Sequence, residues 1–181
     1  MLGEFRSSDY GRAVQDLLAR DGDGLRPMPL APANPSAKLS ISLSADALFP
    51  GAKSPGGALS GLYLYFSCLD EAHKIAQDLD TSEGSFWHGI MHRQEPDPGN
   101  AGYWFRHVGQ HPVFPALAAR AASLGYDSGT KWDPLAFIDF CESARRRPGS
   151  AEEALALQVQ LAEWQLLFDY CARPGKTTTQ S

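Results

Sequence analysis

Residues 86–107 read FWHGIMHRQEPDPGNAGYWFRH and hold three of the chain's five histidines and two of its four tryptophans, together with Arg93, Arg106, Glu95 and Asp97. Residues four apart on a helix lie one turn above each other, so His88 and His92 share a face, with Glu95 three residues on. His-x3-His with a nearby carboxylate is a metal-ligand geometry, and a divalent metal such as zinc is the cofactor it would take. A zinc-protease helix carries Glu directly after the first His; Gly89 stands there instead, so the stretch is not that motif. Two more imidazoles are candidate ligands or proton carriers. His73 sits on the apolar seam of another predicted helix, with Asp70 and Gln77 at i−3 and i+4, and His111 precedes Pro112 at a helix entry. A neighbouring carboxylate orients an imidazole and raises its basicity. Packing of helices 57–79 and 84–94 across a short turn is expected to bring His73 near His88 or His92.

Glu95 and Asp97 are the candidate bases, and Arg93 and Arg106 are candidate grips for a carboxylate or phosphate, because guanidinium presents a planar fork. Trp87, Tyr103 and Trp104 are candidates for a platform under a sugar or another flat ligand. Each piece also has a plain structural reading. His73 would be a satisfied core residue, and His88 and His92 would form a knot with Arg93, Asp97 or Asn100. Arg93 and Arg106 would pair with Glu95, Asp97 or Glu83, and the aromatics would be core. His107, beside Arg106, is expected to be exposed. The chain has no Gly-x-Ser-x-Gly, no phosphate-binding glycine loop and no Cys-x-x-Cys. Three functions therefore stay open: a metal-assisted hydrolase or related acid–base enzyme, a non-catalytic binder of a small polar or sugar-like ligand, and a structural protein whose motif pins helices.

The elements that must position these residues are helical. Ser8 or Asp9 caps a predicted helix over about 10–20, ended by DGDG at 21–24, which is read as a turn because a calcium loop starting at Asp21 would place Pro32 at its twelfth position. Six of the thirteen prolines fall between Pro27 and Pro55, so 25–57 is expected to be an extended strap across helices, with a helical turn at 44–49. Within it, Leu39, Ile41 and Leu43 alternate with serines at strand period. Helices are predicted at about 57–79, 84–94, 98–108, 112–124, 134–146 and 151–172. Asp97-Pro98 and Asp133-Pro134 are cap-and-first-turn pairs, and Ser150 with Glu153 forms a capping box. The last helix carries two apolar stripes and is expected to be central, with Pro174 ending it and a frayed tail over 174–181. The expected fold is all-α, a single domain of six to seven helices with a proline-rich strap.

A 181-residue chain with 43% hydrophobic and 20% charged residues fits one globular domain able to bury a core without staples. A formal net charge of −5 argues against nucleic acid as a partner, since phosphate binding needs a concentrated basic surface. No uninterrupted apolar run approaches the roughly 18 residues of a membrane span, and the N-terminus lacks a signal-peptide core. Cys68, Cys141 and Cys171 are odd in number and far apart; buried thiols in a cytoplasmic protein are the expectation.

DEAHKIAQ (70–77), FWHGIMHRQEPDPGNAGYWFRHVG (86–109) and HPVF (111–114) resemble an uncharacterised group of bacterial proteins, with related fungal sequences. The likeness covers about a third of the chain and brings no established activity with it. HGIMHR (88–93) is also similar to the His-x3-His pair of DinB-like helical bundles, which bind a metal through three histidines. That analogy implies a third ligand from His73 or His111, in a different element order.

Overall fold

In a computed structural model residues 4–36, 39 and 43–175 are described. The fold is all-α, with nine α-helices among those residues: α1 (Arg12–Leu18), α2 (Ala45–Leu48), α3 (Pro55–Tyr65), α4 (Leu69–Gln77), α5 (Ser82–Gln94), α6 (Pro98–Val108), α7 (Phe114–Leu124), α8 (Pro134–Arg145) and α9 (Ala151–Ala172). None of them is long and apolar enough to cross a membrane. Short 3-10 segments flank α1. The predicted capping chemistry sets several boundaries. Asp97 accepts from the Asn100 N–H at 3.1 Å, Asp133 from Leu135 and Ala136, and Ser150 from Glu153. Each relieves a backbone donor that a helix start leaves unpaired. The Glu153 carboxylate reaches back to the Gly149 N–H at 2.6 Å, one residue before the cap.

The single helix expected over 57–79 is two. Ser67 takes a left-handed φ of 60°, and the N–H groups of Ser67 and Cys68 close back on Leu64 and Tyr63. The chain turns there and α4 sets out in a new direction. That break and the short α2 account for nine helices rather than six or seven. The strand-like alternation of Leu39, Ile41 and Leu43 falls largely outside the described residues. So does 176–181, while Pro174 pairs with Ala52 and the Gly175 N–H meets the Gly51 carbonyl.

The core is organised around α3 as much as α9. Every residue from Gly57 to Tyr65 is buried, as an all-round apolar helix requires. α9 packs on α3, α7 and α8, and Trp164 of α9 donates its indole N–H to the Gly61 carbonyl at 2.7 Å. The absent side chain at Gly61 makes room for Trp87: a Cβ there would lie 2.6 Å from the indole. The proline-rich segment is tied to this core through Gln160, whose amide donates to the carbonyls of Met28 and Pro29. Met28 and Leu30 are buried beneath it.

Candidate functional site

α4 packs on α5, and α5 packs closely on α6. The second contact is tight because a Cβ at Gly89 would meet the Phe105 ring at 2.7 Å. Three imidazoles gather at the junction. The His73 ring stands edge-on to both partners, 4.7 Å from His88 and 5.3 Å from His92 between centroids. His88 and His92, one turn apart on α5, are nearly parallel at 6.1 Å. Trp104 of α6 stacks on His88 at 4.1 Å and 14°, closing that side. His88 and His92 are buried and His73 is half-buried.

The three rings are wired differently. His88 Nδ1 lies 3.0 Å from the Gly84 carbonyl; a carbonyl only accepts, so this nitrogen carries the proton and Nε2 keeps the lone pair. Burial pushes His88 down from 6.5 to about 4; its neighbours His73 and His92 act in the same direction, and the Gly84 bond opposes them. The ring is therefore neutral near pH 7. His92 Nδ1 lies 2.8 Å from the Glu95 carboxylate, although off the line of a good hydrogen bond. Nε2 of His73 is buried with no hydrogen-bond partner among the described residues. An imidazole nitrogen left unpaired in a protein interior carries a desolvation cost, and such atoms call for an explanation.

Among the described residues no group of three or more His, Cys, Asp or Glu is placed to hold a metal ion. A zinc–nitrogen bond of about 2.0–2.1 Å sets ring centroids roughly 5 Å apart around one tetrahedral ion. The pairs through His73 meet that spacing; the near-parallel His88–His92 pair, at 6.1 Å, does not. His111 lies apart from the trio. Its ring packs on Phe86, Phe114 and Tyr170, and its Nδ1 accepts from the Val113 N–H. Its Nε2 faces Glu83 at 3.8 Å. The His111 imidazole draws Glu83 down to about 2, against the effect of burial.

Several candidates occupy other places than the sequence suggested. Arg93, expected near Glu95, Asp97 or Glu83, points into the core. Its guanidinium forks onto Glu163 of α9, donates to Gln160 at 3.1 Å and sits over the Phe137 ring at 4.7 Å. Both charged side chains are 0% exposed, so Arg93 has no free face for a substrate anion. Asp97, also considered as a base, serves as the cap of α6 that its pairing with Pro98 suggested. Trp87 is fully buried against α3 rather than a platform. Arg106 is exposed, but on α6 it lies roughly opposite Trp104, since two residues advance about 200° around a helix; its guanidinium folds back beside Gly102. Tyr103 is 48% exposed and touches Trp104 and His107. His107 is exposed, as its neighbour Arg106 suggested.

The corner therefore comprises His73, His88, His92, Glu95 and Trp104, flanked by Tyr103 and His107. Glu163 and Gln160, the partners of Arg93, escaped the sequence reading. Their signal was present as two polar residues beside the apolar stripes of α9, where a buried polar group requires a partner. No family model matches this chain, and no curated protein or solved structure matches it either.

Proposed function

We propose that this corner is the active site of an enzyme that hydrolyses a small polar molecule, with His92 backed by Glu95 as the general base. The observation that carries the reading is the Glu95 carboxylate 2.8 Å from His92 Nδ1, in a corner where two further imidazoles converge. A carboxylate behind one ring nitrogen holds the proton there and leaves Nε2 as a basic lone pair. Glu95 is exposed and needs only a side-chain rotation to align. His88, neutral with its proton on Nδ1, presents Nε2 as an acceptor that can position a water. In the reaction the water oxygen attacks an ester-type carbonyl carbon while His92 Nε2 takes its proton. The carbon–oxygen bond to the leaving group then breaks and His92 returns the proton to that oxygen, releasing acid and alcohol. No step is routed through a metal, because the ring spacing does not supply three ligands. Binding without catalysis is the second reading, favoured by the half-buried Trp104, whose indole is held flat by His88.

Chromogenic esters of short acids, tested with the wild type and with His92→Gln, separate the two. The enzyme reading expects turnover in the wild type and a loss of tenfold or more in the variant. Equal rates in both, or no turnover of any ester, contradict it.

A further inference from the structure

We infer that the cavity between the N-terminal segment, α7 and α9 binds a small zwitterion, an α-amino acid with an aromatic side chain. It encloses about 220 Å³, roughly the share of seven waters in the liquid. That suits a molecule on the order of ten non-hydrogen atoms, below the usual drug-sized pocket, and phenylalanine is of that size. None of the lining residues belongs to the histidine corner.

Packing fixes the apolar wall. The Phe5 ring lies 5.4 Å from Tyr10, 5.5 Å from Trp164 and 6.2 Å from Phe168 between centroids. It reaches that place because Gly24 has no side chain: a Cβ there would stand 2.3 Å from the ring. Ala162 and Leu166 of α9 complete the wall.

The charges decide the ligand. Arg6, Arg120 and Arg173 line the cavity together with Glu4, Asp9 and Asp169, so the ionic lining is neutral in sum. Most of it closes on itself. Arg173 donates to Asp169 at 2.8 Å and to Asp9 at 3.1 Å, and the neutral Tyr10 hydroxyl donates to Asp169 at 2.7 Å. Arg6 is paired with Asp9 at 3.8 Å. Glu4 and Arg120 line the same cavity, yet neither forms an ion pair with the other or with any other described residue. Opposite charges that share a cavity without meeting are answered together by a ligand that carries both signs. A simple anion or a simple cation would leave one of them unanswered. Arg120 presents the planar fork that an α-carboxylate accepts, and Glu4 accepts from the α-ammonium. Gln165 adds a neutral acceptor, because its Nε2 donates to the Gly24 carbonyl at 2.9 Å and so orients the amide with Oε1 left to accept. The aromatic side chain then leaves water against Phe5 and Leu166.

Calorimetry on the whole chain with L-phenylalanine, 3-phenylpropionate, phenethylamine and glycine tests this, since each of the last three lacks one of the three features the cavity reads. Phenylalanine is expected to bind, and the acid without the amine, the amine without the acid and the amino acid without the ring are each expected to bind at least tenfold more weakly. Glu4 and Arg120 are exposed, so Glu4→Gln and Arg120→Gln leave the fold in place, and each is expected to weaken phenylalanine tenfold or more. The inference is overturned if phenylalanine does not bind at millimolar concentration, if any of the three analogues binds as tightly as phenylalanine, or if either variant binds it like the wild type. None of these outcomes depends on turnover at the histidine corner.

Discussion

Replacing Arg93 with Ala is expected to destabilise the protein by about 3–5 kcal/mol in denaturant unfolding, because it strands Glu163 as an uncompensated buried charge. Burial opposes the Arg93 charge, and the Glu163 carboxylate more than offsets that, holding the guanidinium above its ordinary value. On the other partner burial pushes the Glu163 carboxyl up while Arg93 pulls it down. The fork geometry favours the ionised pair, since a neutral Glu163 would leave the buried Arg93 charge without a counter-charge. The loss extends past the pair. Arg93 also holds Gln160, and Gln160 holds the carbonyls of Met28 and Pro29. The Arg93 guanidinium also lies over the Phe137 ring of α8 at 4.7 Å. One side chain therefore ties α5, α8, α9 and the proline-rich segment together. Against a typical total stability of about 5–15 kcal/mol, the variant loses a large fraction of its margin. The double replacement Arg93→Met with Glu163→Leu removes both charges and is expected to recover most of the loss. A single variant that unfolds within about 1 kcal/mol of the wild type would show that the pair is not buried as described.

Acidification is expected to weaken the fold between pH 6.5 and about 4 through His88. In the unfolded chain this residue takes up a proton near 6.5, while in the folded corner burial delays that to about 4. Between those values the unfolded state binds more protons, so stability rises with pH and falls as pH drops. The gap corresponds to roughly 3 kcal/mol, at 1.36 kcal/mol per tenfold change in proton affinity. Glu83 acts in a lower window. Its carboxyl, drawn down to about 2 by His111, contributes stability above the ordinary carboxylate range that disappears as pH falls through 2. Urea unfolding of the wild type and of His88→Asn at pH 7, 5.5 and 4 separates the two. The wild type is expected to lose stability over this range and the variant to lose about 3 kcal/mol less. Parallel curves for both proteins would rule out the neutral, buried His88.

Much of this was legible in the residues. Helix starts written as Asp-Pro or Ser-x-x-Glu appear where the capping bonds form, because a side-chain oxygen at that position has few other backbone donors to serve. The His88–His92 face follows from helical spacing alone, and His73 joins it because a short turn forces α4 and α5 together. The break at Ser67 was not legible: Tyr65-Phe66-Ser67-Cys68 contains neither glycine nor proline, and its left-handed residue is imposed by packing around α3. Arg93 was read as an anion grip for its planar fork, or as a partner of Glu95, Asp97 or Glu83, which lie near it in sequence. Its actual partner is seventy residues away on α9, a distance over which local pattern says nothing. Likewise Trp87 and Trp104 look alike in the sequence, and only the space left by Gly61 decides that the first is core.

Nitrogen-detected NMR of the imidazoles, titrated from pH 8 to 4, examines the corner itself. His88 is expected to stay neutral with its proton on Nδ1 until the pH approaches about 4, and at pH 8 the Glu95→Gln substitution should change which ring nitrogen of His92 carries the proton, because the carboxylate beside Nδ1 is gone, while leaving His88 in place. A His88 that protonates near 6.5, or a His92 indifferent to Glu95→Gln, would contradict both the buried neutral imidazole and the carboxylate-backed base on which the proposed chemistry depends.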